Sequence, residues 1–309
     1  MLLLLLSAII ITVGLLGNLT IVYASNRRNA IKMDRISLIL IEDIAVTDIL
    51  GILFYYVPST ITISERDWVI GDTMCFIVAF AKFSLSINEI LVIVILSFYR
   101  NWRLKKPPSA IDPIKSSKII KTLMLVGVIS TLPNFVIIGT RSKQVFDNRI
   151  YTCSWSSFYN PDKKILNLII MAVSLILPMF LIIAVNCVTL VNVAWYSNKA
   201  GKRPMPSKNS SIMLGSISAM FILSYVPFFI KVVMKCAKVP LPQWFEACNH
   251  FAVSINMISN FFIYFITNTK FRNYLKGDVR WNQAVRAAQV VQAEQAVQVE
   301  QVVQGDPPF

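Results

Sequence analysis

The sequence predicts an all-α membrane protein, a seven-transmembrane helix bundle with a short amphipathic eighth helix. Seven long apolar stretches run through the 309 residues, each near the roughly 20 residues that a helix needs to cross a bilayer. The chain is 55% hydrophobic and only 15% charged, whereas a soluble domain carries about 25% charged residues. Ionisable residues still occur inside the apolar stretches, where they usually face a bundle interior and indicate a functional site.

Each apolar stretch is interpreted as one transmembrane helix. The first begins at Met1 without a basic leader and is followed by Arg27 and Arg28, which favours a spanning signal anchor over a cleaved signal peptide, the alternative. Prolines within the stretches are compatible with this interpretation because neighbouring groups in a membrane bundle satisfy the freed carbonyls. The predicted spans are 2–24, 36–60, 73–101, 117–139, 165–195, 210–235 and 244–267.

The basic residues predict how the chain is oriented. The net charge of +14 lies mostly in short loops between apolar stretches, which favours a lipid bilayer as the partner and argues against nucleic acid. With the amino terminus outside, twenty of the thirty Lys and Arg residues fall on the cytoplasmic side, nine on the outer side, and Lys82 within a helix. The excess predicts a multi-pass plasma-membrane protein with an extracellular amino terminus and a cytoplasmic carboxyl terminus.

The carboxyl-terminal part divides into two segments. Basic and apolar residues alternate at helical spacing from Thr269 to Lys276, which predicts an amphipathic helix near 269–281 on the inner leaflet. Residues 1–281 therefore form the predicted bundle domain, and 282–309 form a low-complexity cytoplasmic tail rich in Gln, Ala, Val and Glu. The chain has one histidine and lacks the Walker, dinucleotide-binding, HExxH and GxSxG motifs, so we expect no enzyme activity.

Short polar motifs recur in order along the predicted helices. They are Gly17-Asn18, Asp43-Ile44-Ala45-Val46-Thr47-Asp48, Trp68-Val69-Ile70-Gly71 followed by Cys75, Tyr99-Arg100-Asn101 followed by Pro107, Pro178, Ser224-Tyr225-Val226-Pro227, Asn260-Phe261-Phe262-Ile263-Tyr264 and Phe271-Arg272. Each is weak alone, but their order and spacing resemble a rhodopsin-like (class A) G-protein-coupled receptor over roughly residues 10–276.

The sequence departs from that family pattern at several positions. Tyr99 replaces the acid before the arginine, and Asn101 replaces the tyrosine after it. Tyr225 replaces the usual tryptophan of the sixth helix, Phe261 replaces the proline of the seventh, and Asn186 lies where the fifth often carries tyrosine. These departures mark a divergent member.

A finer likeness links the chain to melatonin-type receptors. Trp244 at the start of the seventh helix and Tyr151-Thr152-Cys153 in the second outer loop are similar to residues of those receptors. The resemblance extends to Asn256 and to the end of the seventh helix.

The resemblance implies a disulfide between Cys75 and Cys153, both on the oxidising side of the membrane. Such a bond would hold the second outer loop over the bundle. Cys236 and Cys248 flank the third outer loop and form a candidate second bridge, but spacing alone does not decide their pairing.

A group of polar residues is expected at mid-membrane. By resemblance, Asp48 and Glu89 flank an allosteric sodium site, with Asn256 and Asn260 nearby. Two neighbouring acids cannot both ionise cheaply in a low dielectric, so either a cation lies between them or they share a proton. The alternative is a hydrogen-bonded structural cluster without an ion.

The predicted ligand pocket contains Lys82, Tyr225 and Ser254. Amine receptors carry an aspartate at the Lys82 position, so the lysine argues against a cationic amine and favours an anionic or carbonyl-bearing ligand. Alternatively, Lys82 pairs with an internal acid or extends towards the membrane surface. Ser254 stands at the retinal-lysine position of opsins, which excludes opsin chemistry.

The switch towards a cytosolic partner is expected at the inner face. By resemblance, Arg100 contacts a heterotrimeric G protein when the sixth helix moves outward, and Asn260 and Tyr264 belong to the same switch. Because Tyr99 replaces an acid, one inactive-state ion pair is missing, and we expect a higher basal activity than in a Tyr99→Asp variant. Alternatively, Arg100 only marks the inner membrane face.

The resemblance implies a receptor that transmits an extracellular small-molecule, lipid or peptide signal to a heterotrimeric G protein. Two alternatives stay open. The first is a non-signalling receptor relative, which the changes at Tyr99 and Phe261 allow. The second is a transporter or channel that uses Lys82, Asp48 and Glu89 as a permeation path, although the sequence shows no internal repeat.

Overall fold

The computed structural model describes residues 2–26, 33–105, 114–147, 152–156, 164–199, 208–236, 239 and 241–276. Within this part, the chain forms ten α-helices, two short π-helical segments and one two-stranded sheet. In chain order the elements are α1 (Leu2–Ser25), α2 (Arg35–Gly51), a π-helical segment (Ile52–Tyr56), α3 (Val57–Glu65), α4 (Asp72–Leu104), α5 (Ser116–Gly139), β1 (Gln144–Asp147), β2 (Thr152–Trp155), α6 (Lys164–Met171), a second π-helical segment (Ala172–Ile176), α7 (Leu177–Lys199), α8 (Lys208–Cys236), α9 (Gln243–Thr267) and α10 (Thr269–Leu275).

The predicted all-α bundle is confirmed. Six helices of the described part are long and apolar enough to cross a membrane, and each overlaps a predicted span. The remaining predicted span, 36–60, corresponds to α2, the π-helical segment and α3, which continue one another from Arg35 to Glu65. The amphipathic eighth helix is α10, while residues 277–281 of its predicted range and the tail 282–309 lie outside the described residues.

Two prolines explain where the π-helical segments occur. The first segment, Ile52–Tyr56, ends two residues before Pro58, and the second, Ala172–Ile176, ends two residues before Pro178. Proline has no N–H, so the carbonyl one turn earlier loses its helical partner. A local change to i→i+5 bonding respaces the turn, and the chain stays helical on both sides.

The distribution of apolar side chains is that of a protein surrounded by lipid. Large apolar residues such as Met124, Phe180 and Val191 are exposed on the outside of the bundle. Polar residues are instead buried between the helices, among them Asn18, Asp48 and Ser254. Because lipid cannot hydrogen-bond to them, the helices turn these groups towards one another.

The second outer loop forms a β-hairpin that is anchored to three helices. β1 and β2 pair antiparallel, and Cys153 of β2 is bonded to Cys75 of α4 with the two Cα atoms 5.2 Å apart. Thr152 accepts a hydrogen bond from Ser59 of α3 at 3.1 Å, and Trp155 donates through Nε1 to Asn134 of α5 at 2.8 Å. The predicted disulfide is therefore confirmed.

The candidate second bridge is not formed. Cys248 is a free, exposed cysteine. The side chain of Cys236 lies outside the described residues.

Candidate functional site

One face of α4 carries polar residues from the outer to the inner half of the bundle. Lys82 and Arg100 are 18 residues apart, which is five helical turns, and Glu89 lies seven residues after Lys82 on the same side. At a rise of about 1.5 Å per residue, Glu89 is roughly 10 Å deeper than Lys82, and Arg100 is roughly 16 Å beyond Glu89. The candidate site therefore has three layers.

The outermost layer is a set of aromatic and basic side chains that we call the outer cluster: Tyr55, Tyr56, Lys82, Tyr225 and His250. The hydroxyl of Tyr55 lies 2.8 Å from Nδ1 of His250. The imidazole of His250 stacks on Tyr56 with the ring centres 4.9 Å apart, and the ammonium of Lys82 lies 4.9 Å from the centre of the Tyr55 ring. This second geometry is a cation–π contact.

Tyr225 and Ser254 join this layer to the rest of the bundle. Tyr225 is buried, packs on Phe221 with the ring centres 4.6 Å apart, and has a side-chain hydrogen bond with Ser86 of α4. Ser254 is fully buried and donates to the carbonyl of His250 at 2.7 Å. The hydroxyl of Ser254 is therefore used within α9.

The middle layer is the acidic pair, Asp48 of α2 and Glu89 of α4. Both carboxyl groups are buried and interact electrostatically. Asn260 of α9 donates to Asp48 at 2.9 Å, and Asn256 of α9 donates to Glu89. The four predicted residues are thus together, and they join three helices through two amide–carboxyl contacts.

The acidic pair has the donor chemistry of a cation site. One oxygen of Asp48, Oδ1, is buried and has no hydrogen-bond partner among the described residues. Carboxylate and amide oxygens are the ligands that hard cations prefer, and an unpaired buried carboxylate oxygen is costly without one. These residues therefore fit a sodium ion, which Asp48, Glu89 and the two asparagines would hold and which would neutralise part of the negative charge.

The innermost layer is the contact between Arg100 and α8. The guanidinium of Arg100 is buried and donates to Oδ1 of Asn186 on α7 at 3.2 Å. Asn186 in turn donates to Ser97 at 3.1 Å. A Cβ added to Gly215 of α8 would lie 3.0 Å from Nη1 and 3.2 Å from Nη2 of Arg100, so the guanidinium lies directly against the backbone of α8.

Tyr99 makes a contact that the sequence did not predict. Its hydroxyl donates to Oδ2 of Asp34 at 2.9 Å. Asp34 is the N-cap of α2 and also accepts from the backbone N–H of Ser37 at 2.9 Å. The tyrosine that replaces the family's acid therefore joins α4 to the inner end of α2.

Phe261, which replaces the proline of the seventh helix, leaves α9 unbroken from Gln243 to Thr267. Its ring packs on α1, where a Cβ on Gly17 would lie 2.8 Å from the Cβ of Phe261. Asn18 of α1 donates to the carbonyl of Met257 at 2.7 Å. Because Phe261 retains its N–H, that carbonyl also accepts the ordinary helical bond.

Tyr264 is buried at the inner end of α9 and packs edge-on against Phe271 of α10 with the ring centres 6.2 Å apart. It also interacts electrostatically with Asp48. Tyr264 therefore lies between the acidic pair and the inner amphipathic helix.

Comparison with known proteins identifies the family. Residues 17–269 match the model of the 7 transmembrane receptor (rhodopsin family), which is most of the chain. The chain belongs to this family. The fold agrees, because the structure is similar to squid rhodopsin with a TM-score of 0.71 and 17% identity, covering 90% of this chain and 85% of that chain.

The chain is also similar in sequence to two rodent receptors, each a purinoceptor 1. It is 23% identical to the one from Mus musculus over 235 residues and 22% identical to the one from Rattus norvegicus over 233 residues. Each match spans 73% of this chain and 60% of the relative's length. The predicted likeness to melatonin-type receptors stays a prediction.

The structure brings together most of the residues that the sequence singled out in this rhodopsin-family receptor. Lys82 and Tyr225 belong to the outer cluster, while Ser254 lies beneath it. Sequence reasoning missed His250, Tyr55 and Tyr56. The available signal was that His250 is the only histidine and precedes Ser254 by four residues, which is one helical turn.

Proposed function

We propose that this rhodopsin-family protein is a G-protein-coupled receptor that transmits an extracellular ligand signal to a heterotrimeric G protein. The observation that carries the proposal is the buried guanidinium of Arg100, which lies against the backbone of α8 at Gly215. A buried charge with one neutral hydrogen-bond partner is costly. Outward movement of α8 would expose Arg100 and let a cytosolic partner supply the missing contacts.

The layers are linked in the order that this function needs. Tyr225 belongs to the outer cluster and interacts electrostatically with both Glu89 and Asp48. Asn260 bonds Asp48 at 2.9 Å, and Tyr264 interacts with Asp48 from the inner side. A ligand that repositions Tyr225 would therefore change the environment of the acidic pair and the packing of α8 and α9.

The orientation that the proposal requires agrees with the charge distribution. The cytoplasmic side would carry Arg100 and twenty of the thirty basic residues, and the disulfide between Cys75 and Cys153 would lie on the oxidising outer side.

The first prediction tests Arg100 directly. In cells that express the wild type at the surface together with a panel of Gα reporters, we expect basal output through at least one Gα. Arg100→Ala should reduce that output by about tenfold or more, because one charge-assisted contact contributes on the order of 1.5–3 kcal/mol.

Arg103→Ala is the matched control, since it removes another arginine of the last turns of α4 and should keep most of the output. No output through any Gα, despite surface expression, would favour a non-signalling relative. Ion flux without Gα coupling would favour a transporter.

A further inference from the structure

His250 has a ring nitrogen whose burial the fold does not explain. It is the only histidine of the chain, and its Nδ1 lies 2.8 Å from the hydroxyl of Tyr55. A phenol is a better proton donor than a neutral imidazole, so we assign the Tyr55 hydroxyl as the donor. The proton of His250 is then on Nε2, which is buried and has no hydrogen-bond partner within the described part of the chain.

A second donor lies beside it. Tyr56 stacks on the imidazole at 4.9 Å and is fully buried. Its hydroxyl has no hydrogen bond of standard geometry to any described residue, although Ser254 lies nearby. Buried polar groups are usually satisfied, so two unsatisfied donors on stacked rings point to an acceptor that comes from outside the fold.

The charge around these donors is positive. Lys82 lies over the Tyr55 ring at 4.9 Å, and both Lys82 and Lys231 act electrostatically on His250. The acids of the acidic pair lie deeper, with Glu89 two helical turns below Lys82 on α4. An acceptor in this position would gain from carrying a negative charge, because charge-assisted hydrogen bonds are the stronger ones.

The depth of the cluster suits a ligand that enters from outside. His250 is the eighth residue of α9, and Lys82 is the eleventh residue of α4. At about 1.5 Å per residue, both lie roughly 10–15 Å from the outer ends of their helices. The hairpin anchored by Cys153 and Trp155 covers the same end of the bundle.

We propose that the outer cluster binds the anionic group of an extracellular ligand, a carboxylate or a phosphate. Nε2–H of His250 and the hydroxyl of Tyr56 donate to it, and Lys82 supplies the counter-charge. The inference rests on the proposed function, because it assigns a ligand class to the same receptor. Tyr225, which belongs to the cluster and reaches Glu89, then reports occupancy to the acidic pair.

The test uses simple anions as probes. The full-length protein is reconstituted in nanodiscs, and its thermal unfolding is followed in acetate, succinate, phosphate or pyrophosphate against chloride at equal ionic strength. We expect at least one of the four anions to raise the Tm of the wild type by about 2 °C or more. The same anion should give no increase in Lys82→Met or His250→Phe, and a smaller one in Tyr56→Phe.

Each variant is compared with its own value in chloride, so a lower starting stability does not affect the result. Lys143→Met is the matched control: it removes a lysine from the second outer loop, and the increase should persist. No increase in the wild type with any of the four anions overturns the proposal, as does an equal increase in the wild type and all three cluster variants.

The same preparations separate this inference from the proposed function. Arg100→Ala should retain the anion-dependent increase in Tm although its Gα output is reduced. A wild type that shows the increase but activates no Gα contradicts the proposed function and supports the anion site. A wild type that activates Gα without the increase does the reverse.

Discussion

Gly215 is the residue that lets Arg100 lie flat against α8. Any larger residue there would place a Cβ 3.0 Å from Nη1, closer than most real contacts of a methyl group with its neighbours. The guanidinium is fixed on its other side by Asn186, so it has little room to move away. At this scale, the closed state of the inner face depends on one missing methyl group.

The second prediction follows from that contact. Gly215→Ala should raise basal Gα output, because the added methyl group pushes α8 away from Arg100 and favours the open state. A bias of about 1 kcal/mol changes the ratio of two states roughly fivefold. The measurement is basal reporter output at equal surface expression.

Gly127→Ala on α5 is the control, since a Cβ there meets nothing within 4 Å, and its output should be unchanged. Equal output from the wild type and Gly215→Ala would show that this contact does not hold the receptor closed.

The third prediction concerns the acidic pair. If a sodium ion held by Asp48 and Glu89 stabilises the closed state, basal output of the wild type should fall as sodium replaces a large organic cation in the medium. Glu89→Gln should weaken that response, because it removes one of the two charges that attract the ion.

Asp43→Asn is the matched control, because Asp43 lies on the same helix as Asp48 but contacts Asn88 instead. It should retain the sodium response. An unchanged response in Glu89→Gln, or none in the wild type, would leave a structural cluster without an ion.

At the scale of elements, α9 shows what the replacement of a proline changes. With Phe261 in place, the Met257 carbonyl accepts both the helical bond and the bond from Asn18 at 2.7 Å. With proline, the side chain of Asn18 would be its only partner. The ring of Phe261 also packs against Gly17, so α1 and α9 are held by apolar packing as well as by the asparagine.

The fourth prediction is a double-mutant cycle on this pair. Asn18→Ala should cost about 1 kcal/mol of unfolding free energy in the wild type and about 1–3 kcal/mol more in Phe261→Pro, where it leaves a buried carbonyl unpaired. Thermal unfolding in nanodiscs measures the four proteins. Additive costs would mean that Phe261 does not share the work of Asn18.

At the scale of the whole molecule, the sequence predicted the bundle well because membrane spans follow from length and hydropathy. Family-like spacing also located the disulfide between Cys75 and Cys153 and the acidic pair. What the sequence could not predict depends on side-chain geometry between distant helices. The stacking of His250 on Tyr56 and the bond from Tyr99 to Asp34 join residues 194 and 65 positions apart, and no local pattern records them.

The same limit explains the expectation about Tyr99. The sequence showed only that an acid is missing beside Arg100. The structure shows that the tyrosine hydroxyl finds a different acceptor at 2.9 Å, the N-cap of α2. The predicted higher basal activity relative to Tyr99→Asp stays a prediction, and it now includes the loss of this bond and a new carboxyl group near Asp34.

The most direct test of the account is the distance between the inner ends of α4 and α8. Spin labels at Lys105 and Lys208, in a background without Cys187, Cys236 and Cys248, report it in nanodiscs by pulsed electron resonance. The account predicts a single short distance in the free receptor and a longer one with a nucleotide-free G-protein heterotrimer from the coupling class, with Gly215→Ala showing part of the longer population unaided. A distance that stays the same with every heterotrimer of the panel and in Gly215→Ala would contradict it.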